Sequence, residues 1–155
     1  MIVALSLTIC LVIVLIDQLT KIFLMGDSFT YIPNFLYNVP TMNDGAAFSM
    51  LSGARIFFII FTVIVLSIVL ILMFTNKVSN SKFFKCTLGV MAGGIIGNFI
   101  DRYFIGSVRD FWYLEPFGFI CNFADVAICV GTAMLCYYIV FMHNYKSSKT
   151  KEEMN

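Results

Sequence analysis

The chain has 155 residues, 60% of them hydrophobic and 12% charged, with a net charge of +1 and a mean hydropathy of +0.91. A soluble domain has about a quarter of its residues charged, so a water-facing surface cannot be built from this sequence and lipid must be most of its solvent. The near-neutral charge excludes a nucleic-acid partner, and one compact membrane domain over residues 1–143 is expected, followed by a solvated polar tail, 144–155, with membrane lipid as its surroundings and a monomer as its state.

A spanning helix needs about 20 mostly apolar residues. The first candidate runs from about Ile2 to Met25, interrupted by Asp17 and Lys21. It has no positive start and no A-x-A cleavage site, so it reads as a retained span and not a signal peptide. Leu7-Thr8-Ile9-Cys10 superficially suggests an acylation site, but Ile9 is bulky where a small residue is needed. The connection that follows, residues 26–55, contains two β-prone runs, Phe29–Ile32 and Phe35–Val39, around Pro33 and Pro40. They predict a small sheet on the membrane surface. The second span runs from about Ile56 to Phe74, the third from about Phe84 to Ile105 and the fourth from about Asn122 to Met142. The predicted fold is thus an all-α membrane protein of four transmembrane helices, with a small β-rich cradle between helices 1 and 2.

The loops set an orientation. Lys77, Lys82 and Lys85 lie between the second and third spans, and Lys146, Lys149 and Lys151 in the tail; the first connection has only Arg55, at its edge. The positive-inside rule puts the lysine-rich segments and both termini in the cytoplasm, and the cradle and residues 106–120 outside. The five cysteines have no ligand spacing and read as small apolar fillers, and His143 stands alone, so neither a disulfide, a metal site nor a cofactor is expected.

Charges within spans are expensive and need a reason. Asp17 and Lys21, four apart on one helix face, are either a self-neutralising pair with Lys21 snorkelling or a support for a site. Asn98, Asp101 and Arg102 share a face at the end of the third span, beside the small-residue pair Gly93 and Gly97; helix packing capped by an ion pair explains them equally well. Asn122 could be only an N-cap, and Asp125 only a complement to the helix dipole. What these single explanations leave out is position. Asp110 lies just beyond the third span, Asp125 lies about one turn, roughly 5 Å, into the fourth, and 125 − 110 leaves 15 residues between them. Both carboxyls therefore fall at one depth near the outer face. Two carboxyls that meet in a partly desolvated place tend to share one proton, so that one can act as base on water and the other as acid toward a peptide bond. No Ser/His or Cys/His set competes.

The motifs Asp17-Gln18-Leu19-Thr20-Lys21, Asn43-Asp44-Gly45-Ala46-Ala47-Phe48, Gly94 to Arg102, Val108-Arg109-Asp110-Phe111 and Asn122-Phe123-Ala124-Asp125, in this order, make the chain resemble the bacterial lipoprotein signal peptidases (signal peptidase II) from Asp17 to about Val130. The resemblance implies an intramembrane aspartyl endopeptidase of the bacterial cytoplasmic membrane. Such an enzyme removes signal peptides from diacylglyceryl-modified prolipoproteins, cutting on the amino side of the lipidated cysteine. It implies a catalytic pair at Asp110 and Asp125, with Asn43, Gly45, Asn98, Arg102 and Asn122 near the site and Asp101, Asp17 and Lys21 in support. Arg109, where the family usually has an aliphatic residue, Cys121, where Phe is common, and a somewhat short Asp110–Asn122 connection depart from the pattern and are expected to alter the substrate mouth. Two other readings are an ion-conducting subunit using Asp17, Asp101, Asp110 and Asp125, and a noncatalytic assembly factor.

Overall fold

The computed structural model describes residues 1–45 and 53–143. Within them lie four helices long and apolar enough to cross a membrane: α1 (Ile2–Leu24), α2 (Arg55–Phe74), α3 (Lys82–Phe104) and α4 (Phe123–Tyr137), the last continuing as a π-helical turn over Tyr138–His143. Their bounds agree with the sequence expectation to within about one turn. The expected tail, 144–155, and Ala46-Ala47-Phe48 of the second motif lie outside the described residues.

α3 is the central helix. It packs against each of the other three, and 61% of its apolar window is buried, against 17%, 17% and 22% for α1, α2 and α4. Those three turn Leu15, Phe23, Ile60, Phe61, Ile64, Val130 and Ile139 outward, as lipid-facing helices do. Glycine lets α1 come close to α3. A Cβ at Gly89 would stand 2.5 Å from the Ser6 carbonyl oxygen, one at Gly93 2.7 Å from Ile13 Cβ, and one at Gly97 2.5 Å from Asp17 Oδ2. Gly94, on the adjacent face, does the same for α4, where a Cβ would meet the Ala124 carbonyl oxygen at 2.5 Å. The predicted pair Gly93/Gly97 is thus part of a longer seam.

The remaining residues build a four-stranded antiparallel sheet of order β1-β2-β3-β4: β1 (Phe29–Ile32), β2 (Leu36–Asn43), β3 (Val108–Leu114) and β4 (Phe119–Cys121). β1 and β2 are the two runs read from the sequence. β3 and β4 were not read as strands, and so the sheet draws equally on the α1–α2 and α3–α4 connections instead of on the first alone. The reason is physical. β3 has adjacent charges at Arg109 and Asp110 and β4 is three residues long, so neither has a periodic signature; pairing with β2, Thr41 opposite Asp110 and Asn43 opposite Val108, makes β3 a strand, and β4 pairs with β3 in turn. The ladder of β2 is interrupted between Asn38 and Thr41, at Pro40, which has no N–H to donate. Because those two connections leave the same end of the bundle, the whole sheet sits there.

Three polar side chains fix that arrangement. Asn38, fully buried on β2, donates to the Leu24 and Asp27 carbonyls at 3.0 and 2.8 Å, closing the end of α1. Arg55 donates to the Arg102 and Tyr103 carbonyls at 2.9 and 2.6 Å, placing a cation on the C-terminus of α3. At the opposite end, Lys85 proves to be buried in the first turn of α3, not a loop charge; it donates to the Leu72 carbonyl at 2.8 Å and to the Thr75 carbonyl, which end α2.

Candidate active site

β3 and β4 form a hairpin closed over Glu115–Phe117 by Gly118, whose φ of +66° suits glycine. The hairpin runs straight into α4. The chain leaving Asp110 therefore doubles back, with Trp112 opposite Cys121, and delivers Asn122 beside the carboxyl it left: Asn122 Nδ2 donates to Asp110 Oδ1 at 2.5 Å. This is why a connection that looks short suffices. The start of α4 is a capping box, in which the Asp125 N–H donates to Asn122 Oδ1 at 3.0 Å and the Asn122 N–H to Asp125 Oδ2 at 3.1 Å. The expected N-cap role is real, and it also orients a carboxyl of the site.

Amides hold both carboxyls. Asp110 Oδ2 accepts from Asn43 Nδ2 at 2.9 Å, across the β2–β3 ladder, and Asp125 Oδ1 accepts from Asn98 Nδ2 at 2.7 Å. Gly45 closes the turn after β2 by donating its N–H to Asn43 Oδ1 at 3.0 Å. Each of the four carboxylate oxygens thus receives one N–H. Asn122 spends both amide protons, on Asp110 and on Asn98 Oδ1 at 3.1 Å, so none is left for a substrate carbonyl and its place is a supporting one. Arg102 lines the same space with its guanidinium carbon 5.0 Å from the Phe58 ring.

Asp110 is 2% exposed. Burial, and next the negative charge of Asp125, push its pKa up to about 6; the amides of Asn43 and Asn122 pull the other way. Cys121, at the end of β4, lines the cavity beside both aspartates, and burial followed by their charge pushes its thiol up to about 12, so it stays a neutral filler. All five cysteines are free, Cys129 and Cys136 on the outer surface of α4.

Beneath the pair lies a buried ion cluster. Lys21 is fully buried and does not snorkel: its Nζ meets Asp17 Oδ2 at 2.9 Å, Asp101 Oδ2 at 3.2 Å and Asn98 Oδ1 at 3.1 Å. Asp17 also caps the last helix, with Oδ1 accepting the Ala124 N–H at 2.9 Å. Asp17 and Lys21 thus form the expected i,i+4 pair, without snorkelling, and each also bonds a residue beside the aspartates. Lysine can only donate, so its contact fixes the Asn98 amide with Nδ2 facing Asp125. Arg109, expected at the mouth, points the other way and pairs with Asp101 Oδ1 at 2.7 Å. Gln18, which sequence reasoning passed over inside its motif, accepts from Arg109 at 2.8 Å and donates to Asp17 and the Gly97 carbonyl. Its spacing next to Asp17 was the available signal.

The carboxyls open onto a cavity of about 230 Å³ lined by Asn43, Gly45, Asn98, Arg102, Cys121 and both aspartates. Two larger grooves share residues with it. One, of about 540 Å³, runs between α2, α3 and α4 and includes Asn98, Arg102 and Asp125; the other, of about 400 Å³ and apolar, lies between the sheet and α4 and reaches Cys121 and Asp125. The polar centre thus has apolar approaches on two sides, in a protein with four helices long and apolar enough to cross a membrane.

Comparison with known proteins gives the family. Residues 9–141 match the model of signal peptidase (SPase) II. A lipoprotein signal peptidase of Staphylococcus aureus (strain bovine RF122 / ET3-1) is 36% identical over 155 residues, covering 95% of this chain and 93% of the relative; that of strain Newman is 35% identical over the same shares. A bacterial membrane enzyme solved by the in meso method at 2.3 Å resolution superposes with a TM-score of 0.79 at 33% identity, covering 92% of this chain and 90% of that one. A second, at 1.9 Å, gives 0.77 at 33% identity, over 88% and 92%. The chain belongs to the signal peptidase II family and is a multi-pass membrane protease.

The cluster makes a stability prediction. Lys21→Met leaves Asp17 and Asp101 buried with one cation between them, and the loss of one partner from such a cluster costs about 3–5 kcal/mol. Thermal unfolding in detergent is expected to show a marked fall in Tm, which Asp17→Asn in the same chain partly restores; an unchanged Tm contradicts this account of the cluster.

Proposed function

We propose that the chain is an aspartyl endopeptidase that removes signal peptides from diacylglyceryl-modified prolipoproteins, cutting on the amino side of the lipidated cysteine. The observation that supports this most is the pair Asp110 and Asp125, brought to one cavity with each carboxylate oxygen held by an amide N–H. The names of the relatives, lipoprotein signal peptidases, support the substrate.

Asp110 is the partner whose raised pKa suits it to hold the shared proton. Asp125 takes a proton from water; the hydroxide adds to the scissile carbonyl carbon as Asp110 protonates the carbonyl oxygen. As the diol collapses, one of its hydroxyls returns a proton to Asp110, the C–N bond breaks, and the proton on Asp125 passes to the leaving amine of the cysteine, which restores the starting state of the pair. The peptide must be extended here, and its backbone groups need partners that lipid cannot supply. The second N–H of Asn43 and the guanidinium of Arg102 are placed to provide them. Buried acyl chains contribute about 0.8 kcal/mol per CH₂, enough to fix the depth of the scissile bond.

Asp110→Asn and Asp125→Asn are each expected to abolish cleavage of a diacylated peptide by protein that still purifies as a folded species, and the double variant to be little worse than either single one. The same peptide without its lipid is expected to be a poor substrate at matched detergent concentration. Substantial turnover by either variant removes the dyad; equal cleavage of both peptides leaves the dyad and removes the lipid requirement. An ion-conducting subunit or an assembly factor would cleave neither.

The pair also dictates a pH dependence. The proton on Asp110 is retained up to a pH of about 6, so kcat/KM of the free enzyme falls as pH rises through that value. Asn43→Ala removes a donor that favours the ionised carboxylate, so it moves this limb to higher pH. A limb that stays in place, or moves down, overturns the reading of Asp110.

Orientation follows the lysines. We place residues 76–81 and the tail 144–155 in the cytoplasm, and the sheet and the aspartates near the outer face of the bacterial cytoplasmic membrane. The chain then acts as a single domain over 1–143, a monomer in lipid, with no metal or other cofactor. A single cysteine at Asp27 in a cysteine-free variant is expected to react with an impermeant maleimide added to intact cells, and one at Lys77 only after permeabilisation; the reverse pattern inverts the topology.

A further inference from the structure

The two carboxyls are located by different parts of the molecule. Asp125 is tied to the helices: α3 reaches it through Asn98, and α1 reaches its neighbour Ala124 through Asp17. Asp110 receives side-chain hydrogen bonds from Asn43 on β2 and Asn122 at the end of its own hairpin, neither of them on α1 or α3. Asn122 in turn donates to Asn98 on α3, and the sheet has a second, direct attachment to the helices on the strand of Asp110 itself.

Arg109 is that attachment. Its backbone N–H donates to Asp101 Oδ2 at 3.0 Å, Nε donates to the same oxygen at 3.3 Å, and one terminal nitrogen reaches both Asp101 Oδ1 at 2.7 Å and Gln18 Oε1 at 2.8 Å. One residue thus joins β3 to α3 and α1, with its side chain 17% exposed. Alternation along a strand sends Arg109 to the face opposite Asp110, toward the helices. Charge agrees with geometry. Asp17 and Asp101 bring two negative charges, Lys21 one positive, and Arg109 the second. Lysine could supply the charge but not the planar fork that takes both oxygens of Asp101, one through Nε and one through a terminal nitrogen, and so fixes the nitrogen that also reaches Gln18.

We propose that Arg109 is a positioning residue for the reaction: by clamping β3 between Asp101 and Gln18 it sets the height at which Asp110 faces Asp125. The proposal rests on the reading of Asp110 as half of the catalytic pair. Misplacing a reacting group by about 1 Å can cost about a hundredfold in rate, so the effect belongs in kcat and not in substrate binding.

The test measures kcat and KM on a diacylated peptide, per mole of folded monodisperse protein in detergent, together with Tm, for the wild type and four variants. Arg109→Met is expected to lower kcat about tenfold or more with KM within about twofold. Arg109→Lys is expected to recover part of kcat. In Arg109→Met/Asp101→Asn the charge imbalance is gone, so Tm returns toward the wild-type value while kcat stays low. Asp110→Asn is the reference: if it still cleaves, the reading of the pair has failed; if it is inactive while Arg109→Met keeps wild-type kcat, only this proposal has. A kcat restored in step with Tm in the double variant shows that Arg109 merely stabilises the fold and overturns it. Should Arg109→Met not fold, Arg109→Lys and the double variant decide by the same criteria.

Discussion

Everything at the polar end of this molecule depends on one fact: Lys21 cannot reach water. An ammonium at the foot of a spanning helix would ordinarily extend toward the interface, but here three acceptors from two helices hold it inside. Removing it from solvent is costly, and only full satisfaction offsets that cost. The cluster so formed neutralises Asp17 and Asp101 together with Arg109, draws α1 against α3, and fixes the direction of an amide that faces the site. The glycines at 93, 94 and 97 matter for the same reason, since a methyl group at Gly97 would occupy the space of the Asp17 carboxylate.

The site above this cluster is built with few parts. Three asparagines, each from a different element, orient the aspartates, and the one at position 122 serves the hairpin, the helix cap and the site at once. Amides suit this role because they donate without adding charge. They offset the mutual repulsion of the carboxyls only in part, and burial followed by that repulsion still raises Asp110 toward neutral pH. A lysine or arginine at position 43 or 122 would add a charge beside the carboxyls and could accept neither the Gly45 N–H nor the Asp125 N–H that these asparagines take.

Much of this was legible in the sequence because lipid is a strict solvent. Four apolar runs give four helices, and polar residues within them must be accounted for, which singled out Asp17, Lys21, Asn98, Asp101, Arg102 and Asp125. Asp110 was found by its distance along the chain from Asp125. The hairpin that explains this distance was not found, because β3 is a strand only by virtue of pairing with residues about 70 positions away, and β4 only by pairing with β3. The direction of Arg109 was missed for a related reason: a side chain's face on a strand is undefined until the strand is known. Lys85 was counted among loop charges, whereas it closes the end of α2 by donating to carbonyls left free there.

The hydrogen bond from Ala124 to Asp17 spans 107 positions of the chain, nearly its whole length. Asn98 and Asn122 meet only when α4 is in place, and Asp125 enters with that helix. A chain emerging from the ribosome therefore carries α1, α2 and α3 into the membrane with half of its carboxyl pair absent and the Asp17 cap unfilled. On the proposed reading of the pair, a chain without its final helix lacks one of the two carboxyls and cannot cleave.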